Sequence, residues 1–167
     1  MKKYEYFKKI EKRLNEQINN ELYSSYVYLA MAAYFEEEGF KGCAKWMLAQ
    51  SKEENGHMQK QYDYVFARGG RVVLEAINKP PVSWKSPVDV FETALKQEQA
   101  VTKEIYQIMD LARTEKDYGT ENFLQWFISE QVEEEASIQE IVQGLKMAGN
   151  DQAAMLMLDK QLGERSE

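Results

Sequence analysis

All three prolines of this 167-residue chain, Pro80, Pro81 and Pro87, fall in one short window. A proline inside a helix removes a backbone hydrogen bond and clashes with the preceding turn. Outside the window only nine scattered glycines could interrupt a helix. Long helices can therefore form on both sides of it. Apolar periodicity predicts helices over about 4–38, 41–68, 87–115 and 118–148, and a short amphipathic fifth over 152–162. Gly39 suits a C-terminal cap for the first helix, and Gly69-Gly70 stops the second. Ser86 and Pro87 open the third as cap and first-turn residue.

The connections restrict the topology. The first two predicted helices are joined by a very short turn, as are the third and fourth, so each pair is antiparallel. About 17 residues, Gly69 to Lys85, separate the pairs, and they include a strand-like "RVVLEAI". A 28-residue helix is about 42 Å long, and 17 extended residues reach about 56 Å. The connection can travel the length of a bundle and make the second and third helices parallel. The expected fold is a single all-α domain over 1–167, a four-helix bundle with one long crossover.

Composition excludes some partners. Lys and Arg number 21 against 28 Asp and Glu, a net charge of −7. Such a chain lacks the basic face that nucleic acid requires, so no nucleic-acid partner is expected. The longest apolar run, Tyr26 to Phe35, is too short to span a membrane. The start, "MKKYEYFKKIEKRL", is basic but opens into no apolar segment, unlike a secretory signal. The single cysteine, Cys43, reads as a small buried hydrophobe. With no internal disulfide available, a reducing, cytoplasmic setting is expected.

Each bundle seam is interrupted by polar residues. Steps of four and three along the first helix give Leu14, Ile18, Glu21, Ser25, Tyr28, Ala32 and Phe35. The third gives Phe91, Ala94, Glu98, Val101, Ile105, Ile108 and Ala112. The fourth gives Leu124, Phe127, Gln131, Glu134, Ile138, Ile141 and Leu145. The second gives Met47, Gln50, Glu54, His57, Gln61 and Val65, with Glu54 and the only histidine one turn apart on one face. Glu21, Glu54–His57, Glu98 and Gln131–Glu134 all lie close to their helix midpoints. In a bundle with aligned ends they converge at one level.

Buried ionised carboxylates are costly unless paired or metal-bound. No lysine or arginine occupies a seam near that level, and clustered carboxylates would hold one another protonated without a counter-cation. Divalent metals remove both costs. Four carboxylates and one imidazole can hold two ions if one carboxylate bridges them. An oxygen-rich set of this kind suits iron or manganese better than structural zinc. The opposing reading is a helix face misread by one position, which would require the same error on four helices at one depth.

These residues resemble the prokaryotic non-haem ferritins, through "NEQINNELYSSYVYL", "EENGH", "KQEQAVT" and "NFLQWFISEQVEEE" in order over nearly the whole chain. The resemblance implies a ferritin-like fold and a ferroxidase that oxidises Fe(II) with O2 or H2O2 and stores the mineral. It implies a homo-oligomeric hollow shell of 24 subunits, with the fifth helix at a symmetry axis; packing on its own bundle is the other reading. By position, Glu21, Glu54 and His57 look like ligands of one iron, with Glu54 bridging to a second held by Glu98 and Glu134. Glu53, Glu130, Glu133 and Glu134 match a third, looser iron site. Tyr28 matches an electron-donating tyrosine, and Gln131 falls near the oxygen-binding side. Trp126 matches a family aromatic, with packing as its ordinary role. Ferritin-like di-iron proteins often carry two Glu-x-x-His motifs; here the second is Gln131-x-x-Glu134. Asn55 stands where bacterioferritin has its haem-binding methionine, so no haem is expected. A rubrerythrin-type di-iron peroxidase, or a non-catalytic acidic bundle buffering metal, are the alternatives. One histidine and one cysteine are too few for the former.

Overall fold

A computed structural model of the chain describes residues 5–165. It contains α1 (Glu5–Glu38), α2 (Lys41–Ala67), α3 (Pro87–Thr114), α4 (Tyr118–Ala148) and α5 (Gln152–Gly163). The helix limits agree with the sequence reading to within a residue at each end described.

The caps follow from local chemistry, with one exception. Gly39 takes a φ of 82° to end α1, a conformation that costs glycine little. Ser86 accepts from the Asp89 amide to start α3, and Asp117 accepts from the Thr120 amide to start α4. At the start of α2 the cap position is Phe40, which offers no side-chain acceptor. Asp159 of α5 takes over, accepting from the Cys43 amide at 2.8 Å. It also sits beside the Cys43 thiol, whose pKa is pushed up by burial first and by Asp159 second. α5 thus packs on its own bundle, across α2 and α4.

The crossover is extended but forms no strand. Its backbone pairs with two side chains of α1. The Asn15 amide donates to the Arg71 carbonyl at 2.9 Å and its oxygen accepts from the Val73 amide at 2.7 Å. Asn19 repeats the pattern, donating to the Val73 carbonyl at 3.3 Å and accepting from the Glu75 amide at 2.9 Å. The spacings match: four helical residues advance about 6.0 Å and two extended residues about 6.6 Å. A strand-like segment therefore finds its partners on a helix. The chain continues to Trp84, edge-on to Tyr34 at 5.7 Å. It has then followed α1 for most of its length, which makes α2 and α3 parallel. Contacts of Lys9 with Glu115, Arg13 with Glu104 and Tyr28 with Glu98 fix α1 antiparallel to α3.

The core has two apolar parts. One contains Tyr28, Met31, Phe35, Met47, Phe91 and Ile138, and the other Leu14, Ile18, Val65, Ile105, Leu124 and Phe127. A buried polar layer lies between them. Every predicted seam residue is buried except Ile141, whose place is taken by Val142. Past Ile138 the seam advances by four residues instead of three, because 3.6 residues per turn drifts against a 3.5 repeat. Ile141 instead lines the groove under Leu158 of α5.

In α2 a reciprocal pair, the Ser25 hydroxyl to the Ser51 carbonyl and the Ser51 hydroxyl to the Ser25 carbonyl, ties the helix to α1. Asn55 adds a bond to Ser25 Oγ at 2.9 Å. Gly56 is exposed, and a Cβ built on it would meet nothing within 4 Å. It makes no room beside the polar layer. Gly56→Ala is expected to stabilise the chain by about 1 kcal/mol, the helix-propensity difference, read as a rise in thermal midpoint.

Candidate metal centre

The polar layer consists of Glu21, Glu54, His57, Glu98, Gln131 and Glu134, all buried, joined by Gln17, Gln50 and Gln61. Glu21, Glu54 and His57 each offer a ligand-type atom, and these atoms lie within 4.8 Å of one another. His57 stands edge-on to Trp126 and Phe127, at ring separations of 5.5 and 6.1 Å. Two amides converge on one oxygen of Glu21: Gln17 and Gln61 donate to Oε1 at 3.0 and 3.1 Å. Among the described residues its other oxygen, Oε2, has no hydrogen-bond partner, and neither does Glu54 Oε2, which lies 3.5 Å from His57 Nδ1. Such orphans cost about 1–3 kcal/mol each when left unmade. A divalent cation between them would satisfy both.

On the opposite wall Glu98 is held from two sides. Tyr28 donates its hydroxyl to Oε1 at 2.5 Å, and Gln131 donates to Oε2 at 3.1 Å. Gln50 donates to Glu134 Oε2 at 2.7 Å. Burial raises the pKa of Glu54 well above the usual carboxyl value, and Glu98 and Glu21 add to it. Burial also raises Glu98, although the Tyr28 and Gln131 hydrogen bonds oppose the shift. Glu134 is pushed up to about 8, by burial first and then by Glu98 and Glu53, against Gln50 and Arg165. Tyr28 is raised well above 10 by burial and by Glu98 and Glu54, so it is a neutral phenol. The donor set, hard oxygens with one imidazole, fits iron.

These shifts carry a sign. A carboxyl whose folded pKa exceeds its unfolded value binds more protons folded than unfolded between the two values. Metal-free stability therefore falls as pH rises through that interval. For Glu134 the interval runs from 4.5 to about 8. Glu134→Gln is expected to match the metal-free wild type near pH 4.5 and to exceed its thermal midpoint at pH 8. Metal binding at pH 7 is expected to release protons. Calorimetry in buffers of different ionisation enthalpy measures that release.

A cleft of about 320 Å3 opens beside this layer, lined by Trp46, Gln50, Glu53, Glu130, Glu133, Glu134, Ser137 and Arg165. It brings together all four acids matched to a third site. His57, Glu130 and Glu134 also form a group with ligand-type atoms within 4.8 Å of one another. His57 thus belongs to both acid sets, whereas the sequence reading placed it in one. The seams carry no cation at this level, as expected, but Arg165 reaches it from beyond α5.

Sequence reasoning gave no role to Gln17, Gln50 or Gln61. Their spacing held the signal, since each lies four residues from Glu21, Glu54 or His57 and so shares its helix face. Arg165 had no such signal. Trp126 meets His57 in a near-perpendicular ring contact and carries Lys60 over its ring at 4.4 Å.

An all-helical bundle with one long crossover and a carboxylate–imidazole layer at mid-height defines a class of metal-handling proteins. A family model described as a ferritin-like domain matches residues 11–148. The chain is 45% identical over 157 residues to a bacterial non-heme ferritin of Bacteroides fragilis, covering 94% of this chain and 98% of the relative. It is 39% identical over 159 residues to a bacterial non-heme ferritin of Staphylococcus aureus, covering 95% and 96%. An open-pore ferritin from the archaeon Archaeoglobus fulgidus superposes with a TM-score of 0.94 at 49% identity, over 95% of this chain and 97% of that one. The chain belongs to the ferritin family, among its prokaryotic non-haem members.

Proposed function

We propose that the chain is a ferroxidase and iron store. Family membership supports iron storage. The observation that carries the chemistry is the pair of buried oxygens without a hydrogen-bond partner, Glu21 Oε2 and Glu54 Oε2, beside Glu98 and Glu134, whose carboxyl pKa values burial raises, as it does that of Glu54 itself. Fe(II) is the substrate. Glu21, Glu54 and His57 hold one ion, and Glu54 is shared with a second held by Glu98 and Glu134. Two Fe(II) become two Fe(III); the two electrons and two protons convert O2 to H2O2, or H2O2 to two waters. Holding both donors at one carboxylate supplies the electron pair in one place.

The surrounding residues have separate tasks. Gln17 and Gln61 fix Glu21 so that its second oxygen faces inward. Gln131 orients Glu98 from the side where the oxidant enters. Tyr28 keeps its proton against Glu98 at rest; when O2 is reduced beyond H2O2 it is placed to give the bound oxidant one further electron, its proton passing to Glu98. Glu53, Glu130, Glu133 and Glu134 take a third ion on its way to the mineral.

Membership in a family of ferritin structures favours a homo-oligomeric shell, which we take to be of 24 subunits. Native mass would then be about 24 × 19.5 kDa, and a monomer or dimer would rule the shell out. Among the described residues no helix is long and apolar enough to cross a membrane. The decisive experiment is aerobic Fe(II) oxidation followed by Fe(III) absorbance. An oxidation rate equal to the protein-free rate, or unchanged in Glu54→Ala, refutes the ferroxidase and leaves metal buffering.

A further inference from the structure

We propose that Arg165 is a tethered counter-cation of the outer acidic cleft: an incoming metal ion must displace it, and while docked it positions Gln50 against Glu134. This rests on the reading of the polar layer as a metal centre. Three residues of α2 receive the guanidinium. Gln50 Oε1 accepts from Nη1 at 2.9 Å, Glu53 Oε2 accepts from Nη2 at 2.7 Å, and the Trp46 ring lies under Cζ at 4.7 Å. Trp46, Gln50 and Glu53 follow steps of four and three, so they form one stripe of the helix. Glu130, Glu133 and Glu134 of α4 line the same cleft. One guanidinium against the carboxylates of Glu53, Glu130 and Glu133, with Glu134 beside them, leaves the cleft attractive to a cation.

Arginine can only donate. With its Oε1 committed to Arg165, Gln50 must turn its amide nitrogen the other way. That nitrogen donates to Glu134 Oε2 at 2.7 Å and approaches Glu54 Oε1 at 3.5 Å. The Arg165 contact therefore reaches two carboxylates of the inner layer through one side chain. A metal ion in the cleft and the guanidinium repel each other at short range, and the ion competes for Glu53. Departure of Arg165 does not require α5 to undock. α5 ends at Gly163, and its hold on α2 lies upstream, at the Asp159–Cys43 bond. Once Arg165 leaves, Gln50 is free to turn and Glu134 Oε2 loses a donor that competes with metal.

The test is a titration of the metal-free, assembled protein with Tb(III), read by Trp-sensitised luminescence. Glu133→Gln assigns the signal to the cleft. Arg165→Gln is expected to bind Tb(III) there about tenfold more tightly than wild type, within the range typical of linked sites. Arg165→Lys, which keeps the charge, is expected to stay near wild type. A parallel Co(II) titration reads the inner layer by its visible absorption. Equal or weaker Tb(III) binding in Arg165→Gln, with normal Co(II) binding, overturns the role of Arg165 alone. Absence of Co(II) binding in wild type overturns the metal-centre reading instead.

Discussion

Glu54→Gln is expected to lower aerobic Fe(II) oxidation at least about a hundredfold, the loss that accompanies a misplaced reacting group, while the metal-free protein becomes more stable. The two effects share one cause. Glu54 is fully buried, its carboxyl pKa is raised by burial and by Glu98 and Glu21, and its Oε2 has no hydrogen-bond partner. Without metal that carboxyl opposes folding at neutral pH. Glutamine keeps the volume, removes the charge and removes the shared anionic ligand. Stopped-flow oxidation and a thermal melt of the metal-free protein check the pair. A variant that loses activity and stability together would mean that Glu54 holds up the fold instead of the metal.

Gly42→Ala is expected to loosen α5 and to destabilise the chain by about 1–3 kcal/mol, the usual cost of overpacking. A Cβ on Gly42 would stand 1.7 Å from the Asp159 carbonyl oxygen and 2.6 Å from its carbon. Both are backbone atoms, so no rotamer change relieves the contact. α5 must move, and Asp159 then withdraws from the Cys43 amide, which has no local cap to replace it. Hydrogen exchange should rise in α5 and the first turn of α2 and remain unchanged in α3. Protection equal to wild type in both segments would refute this account of the docking.

Much of the bundle could be read from the sequence because its determinants are local. Helix limits followed from Gly39, Ser86 and the proline window. The seams followed from periodicity, and their polar interruptions at mid-helix put Glu21, Glu54, His57, Glu98, Gln131 and Glu134 in one layer. Where two local rules conflict, the reading was weaker. "RVVLEAI" has strand composition, yet the described residues contain no strand for it to pair with, and Asn15 and Asn19 satisfied its backbone from a helix. Ile141 and Val142 are both apolar, and only the drift of α4 and the presence of α5 decided which one is buried.

The sequence by itself determined the helices, the long crossover and the depth at which ligand-type residues meet, since each depends on spacing within one segment. Tertiary structure decided what meets across segments. It brought Asp159 to a helix start 116 residues earlier and Arg165 to Gln50 across 115. It also fixed which way the Gln17, Gln50 and Gln61 amides point, and so which carboxylate oxygens remain open. Those contacts depend on how a twelve-residue helix, α5, lies across two others. No periodicity along the chain encodes that docking; the space left by Gly42 and the charge of the acidic cleft do.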